Sequence, residues 1–341
     1  LRRSYDSIHG KAKSMGLKKE IIKIESSNKK QEVTIKDQIN YNKNLISELQ
    51  KTLQQKKDVF VISKKNKKKG DILVVHFTDW HVGRIVKDET GREVYNADIF
   101  KKRAKKLLLE ILILLEYYIK KGTPIHSVVI ISTGDILDGS GIFASQETQS
   151  ELSPPFQTML AVEILIKFIK TLTRKGLSVE FYGVRGNHGE IRGERGKAKD
   201  PNSNWDTQLY LILDFWAKNI EKSEKIKIHY SELDYLNFNI NGWRYHIRHI
   251  APQTTDNPSG KAKFLGWSKQ HKCDVIVYGH YHHACISDRS KVMVMRGGSM
   301  TGADEYSEQL AEESDPVQLI WGCSKNRPTT FIYCVDLGGD K

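Results

Sequence analysis

The sequence predicts an α/β protein: a layered αββα body preceded by a basic helical N-terminal extension. Three observations carry that reading. From Asp71 onward, short runs rich in Val and Ile alternate with long stretches of helical periodicity, as in sheet layers covered by helices. Most of the strand-like runs lead within three residues to Asp, Asn or His. The excess positive charge sits at one end, because residues 1–70 hold 19 Lys+Arg against 7 Asp+Glu while the other 271 residues hold 35 against 34. The chain therefore divides into a basic extension, 1–70, and a nearly neutral body, 71–341.

Within the extension, residues 2–19 place Tyr5, Ile8, Ala12 and Met15 at helical spacing, with Gly16 suited to end the helix. The stretch resembles the recognition helix of a small helix-turn-helix or Myb-like module, which lies in the DNA major groove. A plain amphipathic helix fits equally well. Residues 20–40 read as a polar linker, 40–57 as a helix with Leu45, Leu49 and Leu53 on one side, and 64–69 as a lysine cluster. The body opens with a buried strand at 72–78, followed by Asp79-Trp80-His81. A helix at 97–120 leads to a strand at 127–132, which runs into Thr133 and the GDILD segment, 134–138. A helix at 156–175 precedes a strand at 178–184, which opens into Arg185-Gly186-Asn187-His188. After a helix at 205–219 come several strands, one at 243–249, then a helix at 261–271. The strand at 274–278 empties into Gly279-His280-Tyr281-His282.

Several classes fall away. The longest apolar run, 107–119, is interrupted by Glu110 and Glu116, too short and too polar to cross a bilayer. The N-terminus lacks the apolar stretch of a signal peptide, and the first residue is Leu1, so preceding residues are expected. Cys273, Cys285, Cys323 and Cys334 have neither zinc-cage spacing nor the density of a disulfide framework. Reduced thiols in a cytoplasmic protein are the expectation. A concentrated positive arm attracts polyanions with salt-dependent affinity, although a solvated tail has the same composition.

Strands buried on both faces position polar residues well at their carboxyl ends. Here those ends carry oxygen and imidazole donors without thiolates, a set suited to Mn, Fe or Zn. Taken singly, each motif has an ordinary structural reading: Asp135 as a helix cap, Gly-Asn-His as a turn, 279–283 as surface histidines. Together, the order D-x-H, G-D-x-x-D, G-N-H, H, G-H-x-H resembles the calcineurin-like metallophosphoesterase superfamily over about 72–335. The resemblance implies a two-sheet sandwich flanked by helices, with metals at the strand ends. Carried over by position, it implies Asp79, His81 and His282 on one metal, Asn187, His249 and His280 on a second, and Asp135 bridging. It also implies His188 as the residue that protonates the leaving group and Asp138 as support behind the ligands. The family's isolated histidine is often followed by Gly, whereas Ile250 follows His249; His246, three residues away, would face the other side of its strand.

Two divalent ions can acidify a bridging water into a hydroxide nucleophile and clamp the oxygens of a displacement at phosphorus. A neutral Asn donor keeps such a site electropositive, and an imidazole is suited to protonating an alkoxide near neutral pH. Mn²⁺ is the expected ion, with Fe, Zn or Mg as alternatives. Arg185, Arg192 and Arg195 flank Gly-Asn-His and are candidates to grip phosphate, with simple solubility an equal reading. Residues 189–204 read as a lid or a surface loop, and 300–318 as a rim or an interface. The basic extension favours DNA, held by the active site and the arm, and an exo- or endonuclease resembling the SbcD-type exonucleases of phages or bacteria. A phage protein would act in the cytoplasm of its bacterial host, and a homodimer is expected by analogy with those nucleases. The alternatives are a phosphomonoesterase or protein phosphatase, a cyclic-nucleotide phosphodiesterase or nucleotide hydrolase, and a DNA-binding regulator without activity.

Overall fold

The computed structural model describes residues 70–123, 125–192, 203–252, 258–289, 292–303 and 315–338. All belong to one compact unit, Phe60–Lys341. The helices expected at 2–19 and 40–57, the linker, the lysine cluster at 64–69 and Arg195 lie outside the described residues.

The first elements in chain order are β1 (Ile72–Phe77), β2 (Val86–Lys87), β3 (Glu93–Tyr95), α1 (Ala97–Lys120), β4 (Ser127–Ser132) and α2 (Ala144–Thr148). Then come α3 (Pro154–Arg174), β5 (Ser178–Gly183), α4 (Trp205–Phe215), β6 (Ile226–Tyr230), β7 (Tyr235–Ile240) and β8 (Trp243–Arg248). The last are α5 (Pro258–His271), β9 (Val275–Tyr278), β10 (Cys285–Arg289), β11 (Val292–Arg296), β12 (Val317–Cys323) and β13 (Phe331–Asp336).

Local chemistry accounts for the helix ends. The side chain of Asn96 accepts hydrogen bonds from the backbone N–H groups of Asp98 and Ile99, starting α1 where the periodicity begins. Helices α3 and α5 start two and three residues earlier than the apolar pattern, at Pro154 and Pro258. Proline is at home in a first turn, where its missing N–H is no loss and its φ is already helical. The helix expected at 205–219 is α-helical only to Phe215, then widens into a π-helical turn, Trp216–Glu221, that closes on left-handed Lys222.

A six-stranded sheet has the order β13-β12-β1-β4-β5-β6, and a five-stranded sheet the order β10-β11-β9-β8-β7. In the first, β1, β4, β5 and β6 run parallel; in the second, β8, β9 and β11 do. The sheets stack through a core that includes Val74, Ile131, Tyr245, Val277, Met295 and Trp321. On the outer face of the first sheet, Phe77 packs edge-on against Phe168 of α3. On the outer face of the second, Phe264 of α5 packs with Ile276, Tyr278 and Val294. Helices thus cover both sheets, the αββα order, and double-sided burial is why β1 and β4 are mostly apolar instead of alternating. Among the described residues, no helix is long and apolar enough to cross a membrane.

Candidate metal centre

Strands β1, β4 and β5 end on the same side of one sheet, and β8 and β9 end together in the other. The turns that leave them are laced to one another. The N–H groups of Asp79 and His81 donate to the carbonyls of Gly134 and Asp135 at 3.1 and 3.0 Å, and that of Gly279 donates to His249 at 3.2 Å. This lacing needs unusual backbone: Asp79, His81, Asp135, His280 and His282 all have φ between 45° and 79°. Left-handed φ is unfavourable for residues bearing a Cβ, and such strain persists only where surrounding contacts over-determine it. Two glycines permit the close approach. A Cβ at Gly186 would collide with the carboxylate and backbone N of Asp135, and one at Gly279 with Thr78 Oγ1 and Asp79 Oδ2.

Asp79, His81 and His282 form one cluster, all of them buried. Their facing Nε2 atoms, from His81 and His282, are 2.9 Å apart, and Asp79 Oδ1 lies 3.9 and 3.6 Å from them. Asp79 is held by the Thr78 hydroxyl at 2.5 Å and the His280 N–H at 3.0 Å. Asp135, His249 and His280 form a second cluster. His249 Nδ1 donates to the Thr133 carbonyl at 2.7 Å, which turns Nε2 toward Asp135 Oδ2 at 2.9 Å and Asn187 Oδ1 at 2.8 Å. Spacings from 2.8 to 3.9 Å are within what two ligands about 2.0–2.2 Å from one ion can span. The donors present therefore fit two divalent cations in spacing as well as in type.

Electrostatics point the same way. Burial drives His81 and His280 down to about 3, so both present neutral imidazoles. Burial also opposes charge on His249, but the Asp135 carboxylate against it prevails and lifts it to about 9. Asp135 is held well below the carboxylate range despite its burial, because His249 and His188 face it. An ionised Asp135 beside the neutral imidazole of His280 is an arrangement a cation satisfies, with His249 giving up its proton when the cation binds.

A third grouping joins His81, Asp138 and His188. Asp138 Oδ1 lies 3.4 Å from His188 Nδ1 and 3.6 Å from His81 Nδ1, and those two histidines help hold it down to about 2 against its burial. The His188 N–H donates to Asp135 Oδ1 at 2.8 Å. Burial favours neutral His188, yet Asp135 and Asp138 outweigh it and raise its pKa. Of the arginines, Arg185 is held by the Glu232 carbonyl and the Asp234 carboxylate, and Arg192 by Glu190 at 3.0 Å. His246 faces away, toward α5, where its ring stacks on His271.

Sequence reasoning missed three supports. Asp206, in the first turn of α4, accepts from the N–H groups of Asp135, Ile136, Leu137 and Gly186 at 2.8, 3.2, 3.3 and 2.9 Å. Burial, then the Asp135 charge, pushes its pKa up to about 6. Gln318 of β12 accepts from Thr78 N and Trp80 Nε1 and donates to the Thr78 carbonyl, clamping the turn after β1. Gln146 donates to the carbonyls of Asp138 and His188 while accepting from Ile142 and Phe143 N–H. The sequence signals were slight: a cap-like Asn204-Trp205-Asp206, and a lone amide inside an apolar strand.

Residues 72–284 match the family profile described as calcineurin-like phosphoesterase. No curated protein sequence matches the chain. Among solved structures, an archaeal phosphodiesterase is 14% identical with a TM-score of 0.35, over 77% of this chain and 99% of its own. Vacuolar protein sorting 29 from Cryptosporidium parvum is 15% identical with a TM-score of 0.37, over 80% and 95%. An uncharacterised predicted phosphoesterase from Streptococcus pneumoniae TIGR4 is 11% identical with a TM-score of 0.30, over 78% and 98%.

Proposed function

Because the chain belongs to the calcineurin-like phosphoesterase family and is a metal-dependent phosphoesterase, we propose that it hydrolyses DNA phosphodiesters as an exo- or endonuclease. The observation that carries the reading is the pair of donor clusters beside the His188–Asp138 pair. In this reading Asp79, His81 and His282 hold one ion, Asn187, His249 and His280 the other, and Asp135 serves both. When bound, the ions, Mn²⁺ by preference, supply Lewis acidity that acidifies water and neutralises phosphoryl charge.

The chain's own residues do the rest. The Asn187 amide adds a ligand without charge, so the centre keeps its attraction for a phosphate anion. The buried Asp138 carboxylate fixes His188 with Nδ1–H toward it. His188 Nε2 is thereby free to give its proton to the departing alkoxide oxygen, and Asp138 stabilises the imidazolium beforehand. Support for DNA comes from charge, since the 19 basic residues within 1–70 would provide the salt-dependent hold that a near-neutral body lacks.

The test is a substrate panel. Purified protein with Mn²⁺ is offered linear DNA, bis-p-nitrophenyl phosphate and p-nitrophenyl phosphate, and bound metal is counted in parallel. Cleavage of DNA and of the diester is expected, with two ions per chain. Hydrolysis of the monoester alone would defeat the nuclease reading and favour a phosphatase.

A further inference from the structure

At the mouth of the site, Phe143 stands 40% exposed with its ring against His188, centroids 4.6 Å apart and planes tilted by 39°. Among the exposed large apolar side chains, Phe143 is one whose ring also lies against His188. Its position is also secured. The Gln146 side chain, 3% exposed, accepts from the N–H groups of Ile142 and Phe143 at 2.8 and 3.0 Å. The same amide donates to the carbonyls of Asp138 and His188. One buried glutamine thus fastens an exposed phenylalanine to the turn that carries the histidine.

The departing oxygen must come within hydrogen-bond reach of His188, about 3 Å. In a nucleic acid that oxygen carries a sugar and, beyond it, a flat base. An open aromatic face next to His188 is where such a base would lie, since bases stack on aromatic side chains without regard to sequence. Arg185 and Arg192 are paired with Asp234 and Glu190. We infer that Phe143 is the platform on which the base of the departing nucleoside stacks. The inference rests on the phosphodiesterase reading above and makes Phe143 a residue that selects for a base on the leaving side.

The experiment compares a dinucleoside phosphate carrying both bases with the two analogues from which one or the other base has been removed. The wild-type protein should favour the intact substrate over the analogue abasic on the leaving side by about tenfold in kcat/KM. Phe143→Leu keeps an apolar contact on His188 but removes the aromatic face, and should bring that ratio close to one. Phe143→Trp should preserve it. An unchanged ratio in Phe143→Leu, a wild-type protein indifferent to either base, or equal loss on all substrates would overturn the inference; the last would make Phe143 only a prop for His188. Failure of the wild-type protein to cleave any diester, while hydrolysing a monoester, would instead sink the phosphodiesterase reading.

Discussion

Asp206 offers the sharpest test of how the centre is held together. Its carboxylate satisfies four backbone N–H groups from two turns that carry Asp135 and Asn187. In Asp206→Asn the amide keeps one oxygen, and the better choice is to leave it on the shorter pair, Asp135 and Gly186, at 2.8 and 2.9 Å. The NH₂ group then faces the N–H groups of Ile136 and Leu137, donor against donor. Two buried N–H groups without an acceptor cost about 1–3 kcal/mol each, so the loss should be about 2–6 kcal/mol. In a body of this size that corresponds to a fall of about 4–20 °C in Tm. The measurement is urea or thermal unfolding of metal-free protein at pH 8, where Asp206, with its pKa pushed up to about 6, is ionised. Metal titration of the folded variant should show weaker binding, because the Ile136 and Leu137 N–H groups that follow left-handed Asp135 lose their acceptor and the turn that aims it loosens. A loss below about 1 kcal/mol would refute the idea that this carboxylate organises the turns.

Three further outcomes are expected. His188→Ala should slow turnover about 10²–10⁴-fold while bound metal stays near the wild-type count; loss of metal as well would make it a ligand or a fold element. Removing residues 1–70 should weaken DNA affinity and flatten its dependence on salt while small diesters are still hydrolysed, and an unaltered salt slope would show that the arm is not what holds DNA. His246 is held neutral down to about 3 by burial, then by His271 and Arg248. Its unfolded form takes up a proton near pH 6.5, so the stability it contributes is complete above that pH and fades as pH falls toward 3. His246→Asn should therefore remove up to about 1.4 kcal/mol per pH unit from the acid slope of stability between pH 6 and pH 4, and parallel slopes in the two proteins would count against it.

Much of the body was legible because its elements are locally determined. The helix at 97–120 and the strand at 127–132 coincide with α1 and β4, where a capping asparagine and a run of β-branched residues leave little choice. The donors were legible too. Oxygen and imidazole groups set just past buried strands stand out from their apolar neighbours, and the fold gathers Asp79, His81 and His282, and Asp135, His249 and His280, into two groups. What sequence could not give was the scaffolding between turns. Asp206 reads as an ordinary first-turn acid, yet its partners lie up to 71 residues away. Phe143 reads as a stray apolar residue, and only its contact with His188 gives it meaning. The choice of DNA depends on residues 1–70, and the likenesses to known proteins reach the family but not the substrate.

The left-handed turns have a consequence for how such a centre is used and copied. Glycine would relax each of them but brings no side chain, and a donor on ordinary backbone would aim elsewhere. Hydrogen bonds between the loops themselves hold that posture. A chelator should strip the protein without collapsing it, and different cations should reload into the same seat, leaving cellular supply to decide which is resident. Grafting these histidines and aspartates onto another scaffold would fail unless the curled segments beneath them travelled along.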